Sequence, residues 1–412
     1  MDKQKLRLII SDQREFFLQE RELVKRNVNL SKLIKTKQIV IISGIRRCGK
    51  STLLQLIHKE IQRDFLYFNF DDERIVDFGT EDFNVLYEIF LESNPKDFIF
   101  YFDEIQVISG WEKFLNRMYE SGIKIFVTGS NAKLLSSEIA TALTGRNVVV
   151  HLTPFLFDEF LVFRNIDKEY TSTKKVAQII RAFNDYFRIG GFPLVVQENN
   201  SNILQSYYSD IFYRDIVSRY RLQNVDELKI LATYLMNNVG RAISYSKIGA
   251  AAGVSSKSLV SKYIEYFLNS FLFIEVRKFD YSYKKQILNP RKLYSSDIGF
   301  LKEVGFNFSE NKGNVLENLV LIYLSKIHEV FYHKGKHECD FVIKKGLKIA
   351  TAIQVCYDLN DGNKDRELKG LFEACKSYKL KKGLILTYDQ EDSFVQDGIK
   401  IVVKPVWKWL LE

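Results

Sequence analysis

The stretch Gln38-Ile39-Val40-Ile41-Ile42-Ser43-Gly44-Ile45-Arg46-Arg47-Cys48-Gly49-Lys50-Ser51-Thr52-Leu53-Leu54 decides how the rest of the chain is read. Its first run is short, apolar and β-branched, which suits a buried parallel strand. Gly44 to Ser51 then follows the spacing G-x-x-x-x-G-K-[ST], and Leu53, Leu54, Leu56 and Ile57 continue as a helix. Gly44 and Gly49 admit backbone angles that a side chain forbids, so successive N–H groups can converge on one anion. The helix adds its positive N-terminal end. This is a P-loop, with Gly44, Ile45, Arg46, Arg47, Cys48, Gly49, Lys50, Ser51 and Thr52 as the candidate nucleotide-binding set. Lys50 is expected to reach the β- and γ-phosphates of ATP, and the Ser51 hydroxyl to ligate Mg²⁺. Arg46 and Arg47 either add charge near the phosphates or face solvent. Cys48, beside these cations and the loop amides, is expected to favour its thiolate.

A chain of 412 residues predicts two or three domains, and 46% apolar residues suffice for real cores. The net charge of +9 makes a polyanion partner plausible without bearing on fold. Cys48, Cys339, Cys356 and Cys375 form no C-x-x-C pair, so neither a disulfide framework nor a zinc ribbon is indicated, and a reducing compartment is expected. No run approaches eighteen apolar residues, so the expectation is a soluble, cytoplasmic protein with no membrane partner.

Around the P-loop the chain alternates strands and helices. Residues 11–35, rich in charges such as Glu15, Glu20, Arg21, Glu22, Lys25 and Arg26, predict one lead-in helix. Phe65 to Phe70 reads as a strand running into Asp71-Asp72-Glu73, taken as a solvated loop. The strand Phe98 to Phe102 delivers Asp103 and Glu104. Phosphoryl transfer needs two such carboxylates, so Asp103 is assigned to Mg²⁺ and Glu104 to the attacking water as a Walker B pair. A fourth strand, Ile123 to Thr128, ends at Gly129-Ser130-Asn131. Ser130 or Asn131 stands where ligands of open parallel sheets bind, and a turn cluster is the alternative. Leu134-Leu135, Leu143-Thr144-Gly145-Arg146 and a fifth strand, Asn147 to Leu152, follow. Arg146 is a candidate arginine finger or a surface charge.

The set Gly44–Thr52, Asp103-Glu104, Gly129-Ser130-Asn131 and Thr144-Gly145-Arg146, followed by Pro154-Phe155 and Phe157-Asp158-Glu159-Phe160, resembles a bacterial and archaeal family of P-loop ATPases in the AAA superfamily. The resemblance spans nearly the whole chain. It implies a sheet with an extra strand between the P-loop and Walker B strands, an ATP-dependent role, Asn131 beside Ser130 at the sensor position and Arg146 as the finger, acting on its own or a neighbouring subunit of a homo-oligomer.

Residues 166–224 read as a helical lid and connector, with Phe187 to Pro193 as a break and Arg214 and Asp215 as helix-surface charges. Residues 225–300 fit a winged helix-turn-helix: Asp226 to Val239, Ser244 to Ala252, a turn at Gly253-Val254-Ser255 whose serine caps Ser256 to Asn269, and wing strands Phe271 to Val276 and Lys292 to Ser295. Arg277, Lys278, Tyr281, Tyr283, Lys284, Lys285 and Arg291 lie between those strands, and with Lys257 and Lys262 they suit a duplex DNA backbone, or a protein partner. Residues 301–412 alternate helix and strand in an order that resembles the restriction-endonuclease-like core. Glu317 and Asp340 match its helix glutamate and strand aspartate. Gln354 and Cys356 stand where the second carboxylate and the lysine belong, so a degenerate, non-cleaving fold is expected, because the charge at the attacked phosphate is missing. His333, His337 and Cys339 are read as structural.

The expected fold is thus α/β. An AAA-type P-loop sheet over residues 1–165 is followed by the helical connector, the winged helix and the nuclease-like domain. The expected function is ATP hydrolysis to ADP and phosphate that repositions the C-terminal half against DNA or a protein. A slow switch that docks a protein and an ATP-regulated nuclease are the alternatives.

Overall fold

β1 (Ile39–Ser43), β2 (Asp64–Asn69), β3 (Phe98–Asp103) and β4 (Lys124–Gly129) are buried almost from end to end, as strands covered on both faces must be, and β5 (Asn147–His151) is partly open. The computed structural model describes residues 1–20, 23–132, 143–254, 256–305 and 312–412. By contact the chain forms two units, residues 1–154 with 269–271, and residues 155–268 with 272–412. In the first unit the five strands are all parallel in the order β2-β3-β4-β1-β5. β4 is the extra strand between β1 and β3 that the resemblance implies. A parallel sheet puts every strand's carboxyl end on one edge, so the residues after β1, β3 and β4 share that edge.

The helices of this unit are α1 (Lys3–Leu18), α2 (Leu30–Lys35), α3 (Lys50–Ile61), α4 (Asp82–Leu91) and α5 (Trp111–Glu120). In α5 the buried residues Trp111, Phe114, Leu115 and Met118 recur at helical spacing and form one apolar stripe. It meets Phe83 and Phe102 in a core of aromatic rings that also holds Phe68, Phe70 and Phe100. The single helix expected over residues 11–35 is two. Asp2 accepts from the Lys5 amide and starts α1 early, and Asn29 accepts from the Lys32 amide and starts α2. Arg21 and Glu22 lie outside the described residues. Gln13 of α1 clips onto the end of β2, accepting from the Asn69 amide at 2.8 Å and donating to Asp72 at 2.8 Å. The acidic stretch after β2 is therefore not a merely solvated loop: hydrogen bonds from Arg74, with Gln13 adding another, hold the Asp72 carboxyl down at about 2.

In the second unit the helices Val225–Asn237, Tyr245–Ala252 and Lys257–Asn269 precede β6 (Phe273–Lys278) and β7 (Arg291–Ser295), an antiparallel pair. These elements occupy the stretch read as a winged helix-turn-helix, while Ser255 and its cap lie outside the described residues. The hairpin is not a free wing. β6 also pairs in parallel with β8 (Glu329–Lys334), and the sheet continues through β9 (Glu338–Lys345), β10 (Lys348–Val355), β11 (Lys382–Thr387), β12 (Asp392–Gln396) and β13 (Ile399–Pro405). Its order is β12-β13-β11-β10-β9-β8-β6-β7, so the boundary expected at residue 300 runs through one sheet. The helix Lys364–Ser377 buries Leu368, Leu371, Phe372 and Cys375 in the core that also contains Cys339, Val342 and Ala352 of β9 and β10. Among the described residues no helix is long and apolar enough to cross a membrane.

Asp215, expected on a helix surface, is only 1% exposed and pairs with Arg219 at 3.2 Å within the π-helical stretch Ile211–Ser218. A second buried carboxyl, Asp297, caps the helix Ile298–Glu303 and accepts from the Gly191 and Gly299 amides, both at 2.8 Å. Burial pushes it up to about 7 despite those two donors. An unfolded aspartate gives up its proton near pH ~3.9. The folded chain keeps this proton to about pH 7, so stability is greatest in acid and falls as pH rises between the two values. The urea midpoint of the chain is expected to be lower at pH 8 than at pH 5, with a smaller gap in Asp297→Asn. An equal gap in the variant would remove Asp297 as a cause.

Candidate active site

The loop after β1 folds tightly against its own sheet. The Gly44 amide donates to the Gly129 carbonyl at 3.3 Å, and a Cβ on Gly44 would stand 2.1 Å from the Leu152 carbonyl oxygen, so no other residue fits there. Gly49 enters α3 with φ of 100°, in the left-handed region. Arg26, buried at 6% exposure, donates to the Cys48 carbonyl at 2.8 Å and the Thr153 carbonyl at 2.6 Å, tying the loop to the segment after β5. Nothing in the sequence marks Arg26, whose partners are 22 and 127 residues away.

Lys50 follows at the first turn of α3 and is buried. Its Nζ donates to the Gly44 and Ile45 carbonyls at 3.2 and 3.3 Å and lies 3.2 Å from Glu104 Oε1. Burial works against the ammonium, yet Glu104, with Cys48 and Asp103 behind it, carries its pKa above the ordinary lysine value. Glu104 shows the reverse balance. Burial would raise it, but the charges of Lys50 and Arg46 and hydrogen bonds from Gln106 and Ser130 hold the carboxyl at about 2. Gln106 donates to Oε2 at 2.6 Å and the Ser130 amide to the same oxygen at 3.1 Å. The Glu104 amide donates to the Thr128 hydroxyl at 3.0 Å, and that hydroxyl in turn donates to Asp103 Oδ1. Tyr67 donates to Asp103 Oδ2 at 3.1 Å, and the Ser51 hydroxyl also bonds Asp103. Burial, then the neighbouring Glu104 charge, push the Asp103 carboxyl up. A hydroxyl and a carboxylate whose charge burial opposes are hard oxygen donors that fit Mg²⁺.

The expected site residues thus meet at one sheet edge, with one exception. Arg146 turns away. It donates to Asn116 Oδ1 at 2.5 Å and pairs with Glu120 at 2.6 Å, and its neighbour Asn147 is in register with Ile39, the first residue of β1. That places it at the amino edge of the sheet, so it is no finger for its own P-loop. Cys48 is fully buried, and its thiol donates to the Leu152 carbonyl at 3.3 Å. Burial pushes its pKa up against the pull of Lys50 and Arg26, so the expected thiolate is corrected to a thiol. Arg46 pairs with Asp71 at 2.9 Å, and Arg47, with φ of 71°, is exposed. Asn131 is buried beside Ser130 at the end of β4. Leu134-Leu135 lie outside the described residues.

The C-terminal unit holds a polar cavity of about 680 Å³ lined by Glu317, Glu338, Asp340, Gln354 and Glu367 among others. The cation reckoned missing from the sequence is present beside it. Lys292 of β7, 1% exposed, reaches Glu338 at 2.9 Å and Glu317 at 3.4 Å. Burial disfavours its charge, but Glu317, Asp340 and Glu338 raise its pKa. Glu317 also accepts from the Tyr294 hydroxyl at 2.6 Å. Gln354 donates to Glu367 at 2.7 Å, a carboxylate that sequence order did not suggest. Burial and the Glu317 charge push the Asp340 carboxyl well up, so it favours its proton. Among the described residues no three Asp, Glu, His or Cys side chains form a metal-binding group. His333 is structural here, bonded to the Tyr378 hydroxyl at 2.9 Å and facing Glu373 at 3.4 Å.

Fold and P-loop geometry define the class: this is a P-loop protein of AAA type. The AAA domain family matches residues 36–161, and a domain of unknown function matches residues 180–311. An uncharacterised protein of Methanocaldococcus jannaschii is 38% identical, covering 95% of this chain and 91% of its own length. An uncharacterised protein of Haemophilus influenzae is 30% identical, covering 95% of this chain and 99% of its own length. The chain belongs to one family with these archaeal and bacterial proteins. Among solved structures, a Thermotoga maritima RuvB variant covers 61% of this chain and 90% of its own at 17% identity, with a TM-score of 0.30. A Pyrococcus horikoshii signal-transduction ATPase with a tetratricopeptide-repeat sensor covers 76% of this chain and 47% of its own at 14% identity, with a TM-score of 0.29.

Proposed function

We propose that the N-terminal unit binds ATP and hydrolyses it to ADP and phosphate. The observation that carries this reading is the convergence of Lys50, Ser51, Asp103 and Glu104 on one edge of the sheet, each with a neighbour that fixes it. Lys50 is the phosphate contact. Glu104 takes the proton of a water whose oxygen bonds to the γ-phosphorus as the bond to the bridging oxygen of ADP breaks. Ser51 and Asp103 would hold Mg²⁺, which supplies charge neutralisation on the phosphates. Ser130, and Asn131 after it, report the state of the γ-phosphate side through the Ser130 amide on Glu104. Lys50→Ala is expected to weaken ATP binding by about 1.5–3 kcal/mol, the worth of a charge-assisted hydrogen bond. Glu104→Gln is expected to keep binding while turnover falls about 10²–10⁴-fold. Turnover by Glu104→Gln at the unmutated rate would remove Glu104 as the base.

For the C-terminal half we propose a partner-binding role that follows nucleotide state, with duplex DNA as the partner. The helix-helix-helix-hairpin order and the exposed Lys284 and Lys285 beside Tyr281 and Tyr283 support it. Arg277 and Arg291 are weaker contributors than the sequence suggested, since both are held by Glu275 at 2.6 Å. Replacing Lys278, Lys284 and Lys285 with Ala is therefore expected to weaken duplex binding and flatten its salt dependence by about 0.9 in slope per lost phosphate contact. An unchanged slope would assign this surface to a protein partner.

The cavity is read as a binding site without cleavage. Lys292 restores the cation whose absence first argued against a nuclease. The reading now rests on the partners in place: Glu317 is engaged by Lys292 and Tyr294, and Gln354, which donates to Glu367, replaces a negative ligand. Supercoiled, linear and branched DNA are expected to survive incubation with Mg²⁺ or Mn²⁺, with or without ATP. Cleavage that disappears in both Asp340→Ala and Lys292→Ala would make the ATP-regulated nuclease the better reading.

A further inference from the structure

Glu104 is held by its own loop. Its backbone is left-handed, with φ of 52°, and opens the 3₁₀ turn Ile105–Val107, in which the Val107 amide donates to the Glu104 carbonyl at 3.1 Å. The turn folds Gln106 back over the carboxylate, where Nε2 donates to Oε2 at 2.6 Å. The Ser130 amide, at the end of β4, donates to the same oxygen. Oε1 has a different neighbour, Lys50 Nζ at 3.2 Å, which is the group that a phosphate would draw off. At the other end of the Gln106 amide, Oε1 is buried and has no hydrogen-bond partner among the described residues. A buried acceptor left unmatched costs stability rather than adding to it, so packing does not account for a glutamine here. The amide could not turn over to satisfy that oxygen, because it would then face two carboxylate oxygens with an acceptor.

We propose that Gln106 is a positioning residue for Glu104: with the Ser130 amide it fixes Oε2, so that Oε1, which faces Lys50 here, is the oxygen that takes the proton of the attacking water. The inference rests on the ATPase reading and names a residue that reading does not use. It makes the base one defined oxygen of the carboxylate. When Lys50 moves to phosphate, Oε2 stays pinned from two sides, and Oε1 is left bare beside the space the ammonium has vacated. Loss of Gln106 leaves one donor, about which the carboxylate can swing, and removes one of the interactions that favour its charged form.

The test is steady-state ATP hydrolysis by the full chain with Mg²⁺, comparing the unmutated protein with Gln106→Leu and Gln106→Glu across pH. Gln106→Leu is expected to lower kcat about 10- to 100-fold, the range seen where an orienting partner is removed. KM for ATP should stay within about twofold, because Gln106 touches no phosphate-binding group. Gln106→Glu, the same size but with a carboxylate facing Oε2, should fall at least as far. The urea midpoint of Gln106→Leu should move little, because removal of an unmatched buried oxygen offsets the lost hydrogen bond to Glu104. Should Gln106→Leu fail to fold, Gln106→Glu carries the comparison alone. Unchanged kcat, or a rise in KM at constant kcat, would overturn the role and leave the ATPase reading standing. An unmutated chain that turns over no ATP would defeat the ATPase reading and take this role with it.

Discussion

The buried ion pair of Lys50 and Glu104, 3.2 Å apart, ties the phosphate loop to the end of β3, and much of the N-terminal unit serves to bring those two ends together. An ammonium this deeply placed must be matched by a negative charge; stripping one partner from a buried pair costs about 3–5 kcal/mol. Glu104 supplies the match here, and a phosphate is the natural replacement. A phosphate reaching the loop would compete with the carboxylate for this ammonium, which would link occupancy of the loop to the freedom of the carboxylate. The parallel sheet makes the linkage possible, since β1, β3 and β4 end on the same edge. Thr128 and Ser130 then connect both Walker B carboxylates to β4, through the Thr128 hydroxyl and the Ser130 amide.

The same rule explains Lys292 in the second unit, with the opposite consequence. Its ammonium is also closed to solvent, but Glu317 and Glu338 meet it directly and Asp340 stands close by. The match is complete within the protein, so no anion is needed to keep Lys292 charged, and the carboxylates are correspondingly less available to a cation. A lysine that completes a catalytic set and a lysine that neutralises it look alike in sequence; their neighbours decide between them.

What the sequence made legible was local. The P-loop, the five strands around it and the Asp103-Glu104 pair follow from short apolar runs and fixed spacings, and each appears within a residue or two of its expected place. The misses share a physical cause, contact at long separation or a change of period. Arg26 acts on carbonyls at positions 48 and 153, and Lys292 stands 25 residues before Glu317. No spacing rule links such pairs. Asp215, read as a helix-surface charge, lies buried in the π-helical stretch Ile211–Ser218, whose turns depart from the 3.6-residue period. Cys48 was read from the charges beside it, whereas burial outweighs them. Gln106 carries no motif, and only the turn it sits in brings it onto Glu104.

Arg146 makes the same point about edges. A strand advances about 3.3 Å per residue, so the five residues of β1 separate its two ends by roughly 13 Å. Arg146 lies beside the first of them and the P-loop follows the last. Its guanidinium is spent on Asn116 and Glu120 of α5, which fastens that helix to the start of β5. Charge that developed on a phosphoryl group held at the P-loop would therefore lie at the carboxyl edge, away from the chain's own Arg146. Among the described residues, the positive groups at that edge include Lys50, paired with Glu104, Arg46, held by Asp71, and the exposed Arg47. Of these, Arg46 already depresses Glu104 through space, so any movement of Arg46 toward phosphate would weaken its hold on Asp71 and raise the basicity of Glu104 together.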